Sequence, residues 1–235
     1  MYYSYGRNLM YGADWTYLLL IAAFILSMIV QFKMQGTFAQ YSKIGVRNGM
    51  TGAQVAQMIL QSEGLYNVVV QPVQGSLTDH YDPRTKTVNL SQTVYGATSL
   101  AAQSVAAHEC GHAIQDARDY APLRWRTSLV PAANFGSRFS WILFIIGLFM
   151  ASGILIKVGI LLFSLSLLFQ LVTLPVEFNA SSRALAKLES SGWMQADELA
   201  GSKKVLGAAA MTYVAAACTS LMYLLRMLSL GGRRR

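Results

Sequence analysis

Apolar residues along this chain gather into long runs separated by one extended polar stretch and one shorter one. Trp15 to Phe32 carries no charge and is long enough to cross the hydrocarbon core of a bilayer as a helix. Tyr2, Tyr3, Tyr5, Tyr11, Trp15 and Tyr17 crowd its start, as an aromatic belt at a membrane interface does. A cleaved signal peptide fits less well: a single Arg7 precedes the run, the run is long for that role, and no Ala-x-Ala site follows. Ser140 to Val176 would overshoot a bilayer as one straight helix. Lys157 sits in its middle, flanked by Gly153 and Gly159. A charge at the membrane midplane costs several kcal/mol, whereas one at a turn reaches the headgroups. Two helices, about 140–156 and 158–175, joined near Lys157, are therefore expected. Val205 to Leu228 is a further apolar run, and its many small residues, among them Gly207 and Ala208 to Ala210, suit close helix packing in lipid. The same segment could instead lie against the polar region without spanning.

The main polar region covers residues 33–139. Phe38, Tyr41 and Ile44 are spaced for a short amphipathic turn beside the membrane. Thr51-Gly52-Ala53-Gln54 has the form of a capping box, opening a helix with Val55, Ala56, Ile59 and Leu60 on one side, and Gly64 closes it. Val68-Val69-Val70 reads as a strand. Leu77 to Asp79 and Thr87 to Leu90 flank Asp82-Pro83-Arg84-Thr85-Lys86, which has turn chemistry, so a β-hairpin is expected there. Ser99 to Ala117 reads as a helix, and residues 177–204 form a second polar region containing Glu177, Arg183 and Glu189.

Composition agrees with a membrane protein. Of 235 residues, 54% are hydrophobic and only 13% charged, with a mean hydropathy of +0.37, too apolar for an ordinary soluble domain. The net charge of +8 does not point to nucleic acid, because the basic residues are scattered beside apolar segments or gathered in Arg233-Arg234-Arg235 rather than arranged along a groove. Attraction to anionic lipid headgroups accounts for them more simply. Cys110 and Cys218 have no C-x-x-C partners, so neither a disulfide framework nor a thiolate metal site is suggested.

The chemistry lies in the expected helix 99–117, which carries His108-Glu109-Cys110-Gly111-His112. Histidines four apart on a helix share a face, so both imidazoles can reach one metal ion, and the glutamate beside the first faces a water held there. Two of the chain's three histidines fall in this H-E-x-x-H arrangement. The alternative, two surface histidines on an ordinary helix, fits poorly with the Ala-rich flanks, which suggest burial. A catalytic zinc usually takes three protein ligands, so a third is needed. His80, Asp116, Glu177, Glu189 and Asp197 are the candidates; Asp116, one turn past His112, is better placed to orient that histidine. Glu177 lies where an apolar helix emerges, and a glutamate there is costly unless paired, although a charge at headgroup level is the plainer alternative. Two crossings separate it from the histidines, which returns it to the same side of the membrane.

Leu77-Thr78-Asp79-His80-Tyr81-Asp82-Pro83, Ala107 to Gln115 and Leu174 to Ser181 resemble the bacterial neutral zinc metallopeptidases of the YugP-like membrane family. The resemblance covers nearly the whole chain, and extends more distantly to HtpX-type membrane gluzincins, where the glutamate of an E-x-x-A-D element is the third zinc ligand. It implies Glu177 in that role. Ser181 stands where the distant relatives carry aspartate, which leaves Asn179 or Arg183 to replace that partner. The expected architecture is then a mainly α, multi-pass membrane protein: one domain over residues 1–235, with a zincin-like core in 33–139 and 177–204, a small β-hairpin or sheet, and about four membrane helices.

The expected activity is zinc-dependent endopeptidase cleavage of a polypeptide, one Zn2+ per chain, acting on membrane or membrane-proximal proteins. His108, His112 and Glu177 hold the metal, Glu109 is the general base, and His80 or Arg183 supplies a second electrophile, His80 having the plainer alternative of bracing the hairpin. The strand leading into the hairpin offers an edge to an extended substrate. Lys33, Lys43, Arg47, Arg124, Arg126, Arg138, Arg183, Lys187, Lys203 and Lys204 fall on the side of the histidines, and Arg7, Lys157 and the arginine tail on the other, which puts the site in the cytosol. A non-catalytic, zinc-containing membrane scaffold or adaptor is the competing reading, disfavoured by Glu109, for which a structural site has no use. A basic membrane-surface protein with a chance motif is the third, and it would hold no zinc.

Overall fold

A computed structural model of the protein describes residues 16–232. Tyr2, Tyr3, Tyr5, Arg7, Tyr11 and Trp15, with the tail Arg233 to Arg235, lie outside the described residues. The elements run α1 (Thr16–Tyr41), α2 (Gly52–Ser62), β1 (Val69–Val73), β2 (His80–Asp82), β3 (Thr87–Ser91), α3 (Gln92–Tyr95), α4 (Leu100–Ala117), α5 (Ala121–Phe149), α6 (Gly153–Ser190) and α7 (Ala196–Gly232). By length and composition α1, α5, α6 and α7 can each cross a membrane. The fold is thus mainly helical with a small sheet, as expected.

Two boundaries differ from the expectation. The turn between α5 and α6 is Met150-Ala151-Ser152 rather than Lys157, with Ala151 at φ 52° and the Ser152 amide donating to the Gly147 carbonyl. Ser152 also accepts from the Leu155 amide, so the start of α6 is set by a capping hydroxyl and not by the charge. Lys157 falls one turn inside α6, roughly 6 Å along the axis, and stays exposed. Secondly, α5, α6 and α7 all extend past their apolar runs, because the polar flanks retain helix-forming residues. Glu177 therefore lies inside a 38-residue helix instead of at its mouth.

The described residues fall into two compact units. One comprises 16–29, 128–171 and 214–232. Its core is Phe144, Ile156, Phe163 and Met227, with Trp141 packed edge-on against Phe144, Phe163 and Tyr223. Ser27 and Thr219 share a hydrogen bond, and the buried Arg226 guanidinium donates to Thr16 and lies 3.6 Å over the Tyr17 ring, satisfying a cation within an apolar segment.

The other unit comprises 30–127 and 172–213 and contains the sheet, in the order β1-β3-β2. β2 and β3 form the expected antiparallel hairpin, pairing Tyr81 with Val88, while β1 runs parallel to β3. The first hairpin strand begins three residues later than the sequence suggests, since Asp79 is taken up by Ser91 and Leu77 adopts φ 57°. The capping box forms as expected: Thr51 accepts from the Gln54 amide and Gln54 from the Thr51 amide. Gly64 takes φ 72° just past the end of α2, a conformation that favours glycine. Val55, Ile59 and Leu60 of α2, Val88 and Leu90 of β3, Leu188 of α6 and Leu206 of α7 bury their side chains in one core with α4.

Candidate metal centre

Helix α4 begins at Ser99, whose hydroxyl accepts from the Ala102 amide, and it is buried on nearly every face. That burial explains its small residues. Ala101, Ala102, Ala106, Ala107 and Ala113 let neighbouring elements come close without large side chains to accommodate. The closest approach is at Gly111. A Cβ built there would stand 2.5 Å from the Ala180 carbonyl oxygen of α6, so only glycine fits. Ala180 follows Glu177 by nearly one turn, and this contact brings Glu177 up to the histidine face.

The result is a convergence of three ligand atoms. His108 Nε2 lies 3.2 Å from Glu177 Oε2 and His112 Nε2 lies 3.6 Å from the same oxygen. One donor atom from each of the three residues falls within 4.8 Å of the others, a group able to hold a metal ion. The two rings are edge-to-face with centroids 4.8 Å apart. All three side chains are largely shielded, with exposures of 15%, 9% and 3% for His108, His112 and Glu177, so an ion held there would meet little competing water.

The donor set fits zinc in its protonation as well. Gln115 donates through Nε2 to the Val176 carbonyl and to Asn179 Oδ1, which fixes its Oε1 as an acceptor toward His112 Nδ1 at 3.0 Å. The proton of His112 is therefore on Nδ1, leaving the Nε2 lone pair for a metal. Ser181 Oγ pairs with His108 Nδ1 at 3.2 Å, a contact in which the hydroxyl can accept from the ring. Ser181 itself thus faces His108 where the distant gluzincin pattern has aspartate. Asn179 and Arg183 act one step further out, Arg183 Nε donating to Asn179 Oδ1 at 2.8 Å. Asp116 does not orient His112; it accepts from Tyr81 Oη and Lys86 Nζ, each at 2.6 Å, and ties the hairpin to α4. Arg126 Nη2 stands 3.9 Å from the other oxygen of Glu177, at the opposite end of that carboxylate from the histidines.

Glu109 is 7% exposed and makes no hydrogen bond to another described residue. Burial pushes its carboxyl up to about 7, His108 opposing the rise and the charges of Glu177 and Asp79 adding to it. A divalent cation on the three ligand atoms would favour the ionised form. Asp79 is likewise raised by burial, against hydrogen bonds from the Ser91 amide and hydroxyl. Behind the motif, burial raises the Cys110 thiol well above its ordinary range, which keeps it an inert core residue.

A cavity of about 130 Å³ opens onto the site, with Asp79, His108, Glu109, Glu177, Ser181 and Tyr213 among its lining residues. Of the two candidate electrophiles, neither lines it. His80 is exposed, its Nδ1 paired with the Thr78 carbonyl at 2.8 Å, though close enough to favour the Glu109 carboxylate electrostatically. Arg183 is engaged by Asn179. His80, Asp116, Glu189 and Asp197 stand outside the three-residue group, Asp197 being held by Arg47 at 3.0 Å. Sequence reasoning missed Gln115, Asp79 and Tyr213. Only Gln115 had a local signal, at i+3 from His112 on the same helix face.

Comparison with known proteins agrees with this arrangement. The profile of a family described as "Putative neutral zinc metallopeptidase" matches residues 16–231. The chain is also 50% identical over 217 residues to a Bacillus subtilis (strain 168) protein named "Putative membrane protease YugP", covering 92% of this chain and 96% of that one. No solved structure matches the chain. With the histidine pair and Glu177 converged, and the match spanning nearly all of the sequence, this protein belongs to the neutral zinc metallopeptidase family.

Proposed function

We propose that the protein is an integral-membrane zinc endopeptidase, and that His108, His112 and Glu177 hold one zinc ion through Nε2, Nε2 and Oε2. The observation that carries this reading is the placement of Glu109. It is a buried carboxylate with no side-chain hydrogen bond among the described residues, beside three ligand atoms and facing a cavity. A structural metal site has no need of such a group. Zinc bound there would acidify a water and polarise a peptide carbonyl.

The chain's own residues perform the rest. The Glu109 carboxylate accepts a proton from the attacking water and returns it to the leaving amine. Gln115 and Ser181 keep the Nδ1 protons of His112 and His108 in place, so that both rings keep their orientation through the reaction. Tyr213 lines the same cavity with its hydroxyl in hydrogen-bonding reach of Glu177, and we assign it as the donor to the developing oxyanion. Arg183 supports the Gln115–Asn179 pair, and His80 stands near Glu109. β2 lies at one edge of the sheet, following Leu77 and Asp79 of the cavity wall, and it is the strand against which an extended substrate would pair.

The substrates in this reading are polypeptides within or beside the bilayer, because four helices long and apolar enough to cross a membrane would tether the site there. The basic residues on its side support a cytosolic site under the positive-inside rule. Labelling of a cysteine placed at Arg84, in intact cells against opened ones, checks that orientation. For the activity, Glu109→Gln is expected to keep stoichiometric zinc and the wild-type melting temperature while losing about 10²–10⁴-fold in turnover of a peptide or unfolded membrane-protein substrate. A Glu109→Gln protein that still turns over at the wild-type rate refutes the assignment.

A further inference from the structure

The cavity at the metal centre is polar where Asp79, His108, Glu109, Glu177, Ser181 and Tyr213 enter it and apolar elsewhere. Helix α7 contributes Val205, Leu206, Ala209, Ala210 and Tyr213 to the wall, positions one and four apart that share one helix face. Met34 and Phe38 of α1, Leu77 ahead of β2 and Val105 of α4 complete the apolar side. Along the α7 stripe, Val205 and Leu206 precede the two alanines and Tyr213 follows them, so the space exists because positions 209 and 210 carry a single methyl each. Glu109, more than nine-tenths buried and with no side-chain hydrogen bond among the described residues, faces the same space.

Size selects the occupant. The cavity measures about 130 Å³. An apolar cavity of about 150 Å³ accepts a benzene molecule, so the space here has room for one aliphatic or phenyl side chain against its apolar wall. We propose that this cavity is the specificity subsite: it receives one medium-sized apolar side chain, that of leucine, methionine or phenylalanine, from the residue beside the scissile bond. Ala209 and Ala210 set its size limit. The proposal rests on the zinc-peptidase reading given above, and it names the substrate class as segments with a leucine-sized or phenyl side chain at the cleaved bond.

The test uses the full-length, zinc-loaded protein in detergent and three simple hydroxamates bearing a methyl, an isobutyl or a benzyl side chain, with binding followed by calorimetry. Isobutyl and benzyl are expected to bind at least about tenfold tighter than methyl, because one methylene in an apolar pocket is worth roughly 10- to 200-fold. Ala209→Phe fills the space and is expected to abolish or invert that preference. Val205→Ala enlarges it and is expected to raise the benzyl-to-isobutyl affinity ratio, which keeps the proposal open to refutation should Ala209→Phe fail to fold. Peptides differing only by leucine or alanine at the cleaved bond should follow the same order in kcat/KM. Equal affinity for the three hydroxamates, or a preference that survives Ala209→Phe, overturns the subsite while leaving the metal centre intact. No binding of any of them overturns the subsite together with the zinc reading beneath it.

Discussion

Gly111→Ala isolates the contact on which the third ligand depends. Taken alone, the substitution favours the helix, since alanine is about 1 kcal/mol better than glycine in a helix interior. The surroundings reverse the sign. The new methyl carbon would stand 2.5 Å from the Ala180 oxygen and 3.1 Å from its carbonyl carbon and Cα, all of them backbone atoms that cannot rotate away. Restoring ordinary contact at 3.4 Å requires α4 and α6 to part by about 0.9 Å, the difference between those two distances. Overpacking of this kind costs about 1–3 kcal/mol, so net stability falls by up to about 2 kcal/mol once the propensity gain is subtracted. The larger effect is on the metal. Glu177 rides on the displaced helix, whereas ligand distances tolerate only about 0.2 Å of error. Zinc affinity is expected to drop at least about 10- to 100-fold, the range seen when support of a ligand is lost. Competition with a chromophoric chelator measures this on the purified protein, with a thermal melt alongside. Gly207→Ala is the control: it lies in α7 with no atom within 4 Å of its would-be Cβ, and it should leave zinc binding unchanged while adding up to about 1 kcal/mol. Wild-type zinc affinity in Gly111→Ala would mean that α4 and α6 are not held at this contact, and the account of how Glu177 reaches the histidines would be wrong.

Three further outcomes follow from the geometry. Gln115→Leu removes the acceptor at His112 Nδ1 and the two bonds to α6, and is expected to lower zinc affinity about 10- to 100-fold by chelator competition, with catalysis falling in parallel. Tyr213→Phe is expected to lower kcat about 10²-fold with zinc content unchanged; an unaltered kcat in steady-state assays would return the role of second electrophile to His80 or Arg183. Glu63 accepts from Lys187 Nζ and Arg118 Nη2, which holds its carboxyl below the ordinary carboxylate range against the opposing effect of burial. Because its folded pKa is depressed, its contribution is present above the unfolded value near 4.5 and disappears as pH falls through the folded one. With Arg118 mostly exposed, that contribution is only about 1 kcal/mol, so melting curves should separate wild type from Glu63→Gln at pH 7 and draw together as the pH is lowered below 4.5.

How much of this was legible in the sequence depended on whether the signal was local. The capping box at Thr51, the hairpin turn after Asp82 and the pair His108 and His112 each lie within a few residues, where spacing fixes geometry, and each appears where the pattern put it. Span boundaries were less legible, because hydropathy marks where a helix is apolar and not where it ends. Lys157 looked like a break, yet Ser152 caps α6 and the helix runs on through Glu177 to Ser190. The orienting partner of His112 was misplaced for a related reason: Asp116 and Gln115 are both within a turn, and only the packing of α6 decides that Gln115 faces inward while Asp116 turns to Lys86. Tyr213 was invisible, lying over a hundred residues beyond Glu109 in a run chosen for its apolarity. Its position follows from the α7 stripe, whose own meaning depends on what it faces. Small residues at 209 and 210 read as lipid-phase packing from the sequence, and as a space beside the histidines once α4 is opposite them. The same alanines are compatible with both readings, and the side-chain preference of the bound hydroxamates is the measurement that separates close packing from a subsite.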